Sequence, residues 1–81
     1  MPQKRSNISR NLLIEIGEKI KEMRIKAGYS SYETFSYDYD LDRKQYWRIE
    51  NGTNITMNTL IKILKIHKTS LRDFFNAPVF K

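Results

Sequence analysis

The sequence predicts an all-α fold, a compact bundle of five short helices. Apolar residues recur three and four positions apart in several segments, which is the period of a helix buried on one face. A serine, threonine or aspartate stands before each of the later segments, where its side chain can cap a first helical turn. No segment alternates polar and apolar residues over the length of a strand. Together these observations favour helices joined by short turns.

The first helix is predicted over about residues 9–27. Ile16 and Ile20 lie four positions apart on one face of it. Gly28 follows at the point where a residue in the left-handed conformation would end the helix. The preceding residues, 1–8, are polar and basic and are predicted to form a flexible arm.

Four further helices complete the domain, which is predicted to cover residues 9–76. Asp40 falls at a break between two of them, and aspartate tolerates a positive φ better than most residues. A short tail is predicted over residues 77–81. The four helices are predicted over about 32–39, 43–51, 57–67 and 71–75, with caps at Ser31, Asp42, Thr56 and Ser70.

Length and composition exclude several classes of protein. The chain has 81 residues, the size of one small domain, and its hydrophobic fraction of 40% is enough to build a core. It has no cysteine and one histidine, His67, so no disulfide, thiolate chemistry or cysteine-containing zinc site is possible. We therefore predict no catalytic centre, no bound metal and no cofactor. No apolar run is long enough for a signal peptide or a membrane span, which predicts a cytoplasmic protein.

The charge distribution favours a phosphate-bearing or anionic partner. The formal net charge is +6, from 15 Lys and Arg against 9 Asp and Glu. Residues 43–81 contribute eight basic and two acidic side chains, whereas residues 31–42 contribute four acidic side chains and no basic one. An excess of this size attracts polyanions, although many small proteins are equally basic.

Two short helices joined by a tight turn, inside a basic domain, suggest a helix-turn-helix formed by the second and third helices. A longer pattern surrounds this motif and consists of Ile16-Gly17, Ile20, Arg24, Gly28-Tyr29-Ser30-Ser31, Phe35-Ser36, Leu41, Tyr46, Ile49-Glu50-Asn51-Gly52 and Ser70-Leu71-Arg72-Asp73-Phe74-Phe75. With these residues the sequence resembles the Cro/repressor (XRE-like) helix-turn-helix family over about residues 12–76. The resemblance implies a five-helix domain of the lambda-repressor-like DNA-binding type.

The third helix is predicted to have one buried and one basic face. Tyr46 and Ile49 lie on one side and should face the core, while Lys44, Trp47 and Arg48 lie opposite. The major groove of DNA is wide enough to admit such a helix, and Arg and Lys donate to guanine O6 and N7. The family places its base-contacting residues at positions that correspond here to Arg43, Lys44, Trp47 and Arg48. Trp47 could instead fold back on the second helix and bury its ring.

Phosphate contacts are predicted at helix ends and in the loop after the third helix. The candidates are Ser31, Tyr32, Thr53 and Asn54, although Tyr32 stands where the family often has Gln. Arg24 and Glu50 resemble the family's structural ion pair, which ties the first helix to the end of the third.

The sequence thus predicts a sequence-specific double-stranded DNA-binding protein, a transcriptional repressor that occludes a promoter as a homodimer on an operator. The apolar C-terminal residues are the predicted dimer surface, namely Leu71, Phe74, Phe75, Val79 and Phe80. Two alternatives stay open. The chain could be the antitoxin of a toxin–antitoxin pair, binding both a small toxin protein and its own operator. It could also be a protein-interaction module without DNA binding, which the acidic stretch at the second helix would suit.

Overall fold

Five α-helices make up the fold across residues 2–80. The computed structural model describes the backbone of these residues, and their side chains from residue 11 onward. No β-strand occurs in the part of the chain described, so the predicted all-α bundle is confirmed. The helices are α1 (Pro2–Lys26), α2 (Tyr32–Asp38), α3 (Arg43–Glu50), α4 (Met57–Ile66) and α5 (Leu71–Phe75), and a 3-10 turn follows over Pro78–Phe80.

The four predicted caps start the four later helices. Each cap has an extended backbone, and its side-chain oxygen accepts a hydrogen bond from an N–H group two or three residues ahead. The N···O distances lie between 2.8 and 3.3 Å. These N–H groups have no partner inside the helix, so the caps fix where each helix begins. The cap residues are Ser31, Asp42, Thr56 and Ser70.

The first helix starts earlier than the sequence predicts. Helical backbone already runs from Pro2, through the segment predicted as a flexible arm, whereas the predicted start lies near residue 9. The apolar periodicity that marks the helix begins only at Leu12, and the preceding polar residues contain no helix breaker after Pro2. Proline itself fits a first helical turn, since its missing N–H would be unpaired there. Met1 and Lys81, the outer ends of the predicted arm and tail, lie outside the described residues.

Two turns place a residue with a side chain in the left-handed region. Asp40 has φ of 56°, as predicted for the break between α2 and α3. Lys68, two residues after the end of α4, has φ of 55°. The N–H of Lys68 donates to the carbonyl of Lys65, and the N–H of Thr69 donates to the carbonyl of Leu64. These bonds satisfy two carbonyl groups of the last turn of α4 and so end the helix.

The core contains side chains from all five helices. Phe35 of α2 is fully buried, and its ring lies 5.2 Å from that of Tyr46 and 5.4 Å from that of His67. The core therefore ties α2, α3 and the end of α4 to one another. Its buried hydrophobic members are Ile16, Ile20, Phe35, Tyr46, Ile49, Leu60, Ile63, Leu64 and Phe74.

The C-terminal segment packs on its own chain. Phe74 is 1% exposed, and the ring of Phe80 lies 5.3 Å from that of Phe74 and 5.1 Å from that of Phe75. The 3-10 turn also contacts α1. Among the five apolar residues predicted to form a dimer surface, Val79 is the one with a large exposed fraction, 48%. Most of that apolar surface thus stabilises the folded chain itself.

Candidate nucleic-acid interface

The third helix has the two faces that its sequence predicts. Tyr46 and Ile49 are 1% and 2% exposed and hold the helix against the core. The residues predicted to contact bases are all exposed on the other side. They are Arg43, Lys44, Trp47 and Arg48.

These four side chains share one open groove between α2 and α3. The groove has a volume of about 410 Å³. Three of its six lining residues are basic and one is acidic, so its walls carry a net positive charge. Its lining residues are Tyr32, Glu33, Arg43, Lys44, Trp47 and Arg48.

Trp47 lies in this groove rather than in the core. Its side chain is 47% exposed, and its neighbours in the groove include Tyr32 at the start of α2. Nearly half of the Trp47 side chain is therefore open to solvent beside the cations of α3. Such a ring can contact the methyl group of thymine or a sugar.

The residues predicted to contact phosphates fall into two places. Ser31 caps α2, where its hydroxyl oxygen accepts from the N–H of Thr34, and Tyr32 lines the groove. Thr53 and Asn54 are exposed in the loop after α3, outside the groove lining. The N–H of Thr53 donates to the carbonyl of Arg48 at 3.0 Å, which fixes the loop against the end of α3.

Glu33 is the groove residue that sequence reasoning missed. Its carboxylate Oε2 lies 3.9 Å from Nη1 of Arg43, and both side chains are more than half exposed. The two residues are ten positions apart and meet only because α2 and α3 pack across the turn. The acidic stretch at α2 was the available signal, and it could not show which carboxylate faces the groove.

The other acidic residues of that stretch do not line the groove. Asp38, at the far end of α2, accepts a hydrogen bond from the hydroxyl of Tyr29 at 2.8 Å. This bond raises the pKa of Tyr29 to about 12, because the hydroxyl can donate to the carboxylate only while it keeps its proton. Asp42 uses its carboxylate to cap α3. The acidic stretch therefore serves mainly to build the turns on either side of α2.

A buried ion pair fixes α3 relative to α1. Nε of Arg24 donates to Oε2 of Glu50 at 2.8 Å, and Nη2 donates to Oε1 at 3.1 Å. Nη1 of Arg24 also donates to the carbonyl of Tyr29 at 2.7 Å. The hydrogen bonds that Arg24 donates to Glu50 raise the pKa of Arg24 above its ordinary value, because they favour the charged guanidinium. The pair is nearly inaccessible to solvent and orients α3 without facing the groove.

Among residues 2–80, no helix combines the length and the apolar character needed to cross a membrane.

The fold and the groove together define a small all-α helix-turn-helix domain with a basic outer face on its second motif helix. The chain is 34% identical over 67 residues to a protein described as control protein C.MunI, from Mycoplasma sp.. The match covers 82% of this chain and 90% of that protein. The chain therefore belongs to the helix-turn-helix family of DNA-binding regulators. No family model matches the chain. No solved structure matches it either.

Proposed function

We propose that this protein is a sequence-specific regulator of transcription that inserts α3 into the major groove of double-stranded DNA. The observation that carries the proposal is the shared groove of Arg43, Lys44, Trp47 and Arg48, on the side of α3 opposite its buried residues. The major groove is about 12 Å wide and admits one helix. An eight-residue helix with exposed cations along its outer side matches that space.

Base contacts and phosphate contacts are divided between different parts of the motif. Arg43, Lys44 and Arg48 donate to base edges, with guanine O6 and N7 as the natural acceptors. Trp47 contacts a thymine methyl or a sugar from the same face. Ser31 and Tyr32 lie at the start of α2, and Thr53 and Asn54 lie in the loop after α3. These places on either side of α3 suit them to the flanking phosphates.

The protein acts as a homodimer on a two-fold related operator. One small module gains only part of the affinity that a specific site requires, and pairing two modules supplies the rest. Half-sites then lie about one helical turn of DNA apart, roughly 34 Å. A dimer seated on a promoter represses transcription by excluding other proteins from that DNA.

Selection of bound duplexes from a random pool, at two salt concentrations, tests the proposal. We expect a two-fold symmetric sequence to be enriched and to stay enriched at the higher salt concentration. The double variant Lys44→Ala/Arg48→Ala should lose that enrichment. The matched control Lys21→Ala/Arg72→Ala removes one exposed Lys and one exposed Arg outside the groove, and it should keep the selected sequence.

Two results would contradict the proposal. Binding without enrichment, lost at higher salt, would mean attraction to phosphates alone. Equal losses in the groove variant and its control would mean that net charge, rather than α3, determines binding.

Repression has its own test, in which the selected sequence is placed over a promoter and transcription is measured in vitro. Increased transcription there would contradict occlusion while leaving DNA recognition intact.

A further inference from the structure

One carboxylate lies in a groove that is otherwise basic. Glu33 Oε2 is 3.9 Å from Arg43 Nη1, and the two side chains are 58% and 63% exposed. Arg43 is the cation within ion-pair distance of Glu33 among the residues whose side chains are described. A carboxylate beside a phosphate-lined surface weakens binding by repulsion.

We propose that Glu33 is a positioning residue, which orients Arg43 toward one base pair and so sets the sequence preference there. The inference rests on the proposed function, because it assigns a role within the same groove. Glu33 increases sequence specificity rather than affinity, because its negative charge weakens attachment to DNA in general.

The geometry lets Arg43 serve two acceptors at once. A guanidinium carries five N–H donors in a rigid planar fork, so one edge can face Glu33 while another edge faces guanine O6 and N7. At 3.9 Å the pair is close enough to orient the guanidinium without holding it by a short hydrogen bond. Without the carboxylate, the long side chain is free to reach a phosphate, a contact that carries no sequence information.

The backbone of Glu33 is held in place at the start of α2. Its N–H donates to the cap oxygen of Ser31 at 3.1 Å, and Phe35 anchors α2 in the core with no exposed surface. Its carboxylate also lies in the first turn of α2, where the helix dipole favours negative charge. An exposed ion pair of this kind contributes little to folding, because water screens it. Docking on DNA excludes that water, and the interaction then becomes stronger.

The test compares Glu33→Gln with Arg43→Ala and with the double variant. For each protein, dissociation constants are measured on the selected operator, on operators changed at single base pairs, and on random duplex DNA across a salt series. Glu18→Gln is the matched control, because it removes one exposed carboxylate on α1 outside the groove.

We expect Glu33→Gln to reduce discrimination at one base pair by about fivefold or more, within the range of a single bidentate contact. Arg43→Ala should reduce discrimination at the same base pair, and the double variant should reduce it no further. Binding to random DNA should become tighter, and the salt dependence steeper by about one phosphate contact. Glu18→Gln should leave discrimination unchanged at every base pair.

Three results would overturn the inference while leaving the proposed function intact. In the first, Glu33→Gln keeps full discrimination at the base pair that depends on Arg43. In the second, it reduces discrimination at a different base pair. In the third, it changes the affinity for all duplexes evenly, as Glu18→Gln does. A wild-type protein that selects no sequence at all would instead remove the proposed function and this inference together.

Discussion

At the scale of single residues, His67 is the group whose protonation the fold opposes. Its ring stacks on Phe35 with an interplanar angle of 7°, and Nε2 is buried with no hydrogen-bond partner among the described residues. Burial lowers the pKa of His67, because the charged imidazolium loses its hydration. The folded protein therefore keeps this histidine neutral at a pH where the unfolded chain would already bind a proton.

The stability of the protein should consequently fall in mildly acidic solution. An unfolded histidine has a pKa of about 6.5, so below this pH the unfolded chain gains a proton that the folded chain resists. The stability that neutral His67 provides is thus present above about pH 6.5 and is lost as the pH falls below it. We expect urea unfolding to give a free energy of unfolding lower by up to about 1 kcal/mol at pH 5.5 than at pH 7.5. The effect is no larger because the ring is only partly buried and solvent screens its charge.

The variant His67→Leu separates this effect from other titrations. Leucine fills a similar volume and cannot take up a proton, so the difference between pH 7.5 and pH 5.5 should shrink. An unchanged pH dependence in the variant would assign the loss to the carboxylates instead.

At the scale of the helices, the crossing of α1 and α3 depends on the missing side chain of Gly17. A Cβ built at this position would lie 2.8 Å from the carbonyl oxygen of Glu50 and 2.9 Å from its carbonyl carbon. Both atoms belong to the backbone of α3 and cannot turn aside as a flexible side chain could. The same crossing carries the Arg24–Glu50 ion pair, so the two features fix one orientation of α3.

We predict that Gly17→Ala destabilises the protein by several kcal/mol, since overpacking alone costs about 1–3 kcal/mol and the helices must also separate. Gly28→Ala is the matched comparison. Gly28 has φ of 96° with nothing near its would-be Cβ, so its substitution should cost only about 1 kcal/mol of backbone strain. Thermal and urea unfolding of both variants measure the difference. Equal losses of unfolding free energy in the two variants would mean that the close approach of α1 and α3 contributes little to stability.

The helix starts were largely predictable because capping is local. Ser31 and Asp42 satisfy N–H groups within three residues of themselves, so the sequence contains both partners. The start of α1 was not predictable in this way, since the apolar period begins well inside the helix. Glu33 was missed for a related reason: its contact with Arg43 depends on how two helices pack, which no short-range pattern records.

The buried and exposed faces of α3 were predictable from its period, whereas the burial of the Trp47 ring was not. Tyr46 and Ile49 are buried as their spacing requires. Trp47 lies on the opposite face, where a large ring can either fold back on α2 or stay open to solvent. Only the packing of α2 against α3 leaves it half exposed in the groove.

At the scale of the whole molecule, the C-terminal segment packs against the first helix. The 3-10 turn at Pro78–Phe80 packs against α1, and the ring of Phe80 lies on those of Phe74 and Phe75. The apolar character of this segment first suggests a surface for a second copy. In the structure most of it covers the core of its own chain, so its substitution should affect the fold of one molecule.

We predict that Phe80→Ala lowers the free energy of unfolding by about 2 kcal/mol, less than the 3–5 kcal/mol of a fully buried phenylalanine because Phe80 is only partly buried. Val79→Ala is the control, since Val79 is 48% exposed and should change stability by no more than about 0.5 kcal/mol. The measurement is thermal unfolding over a hundredfold range of protein concentration. If the segment stabilises the single chain, Phe80→Ala lowers the midpoint equally at every concentration. A dimer interface at this end predicts the opposite pattern, in which both variants lose most of their stability at high concentration, where the wild type gains from association.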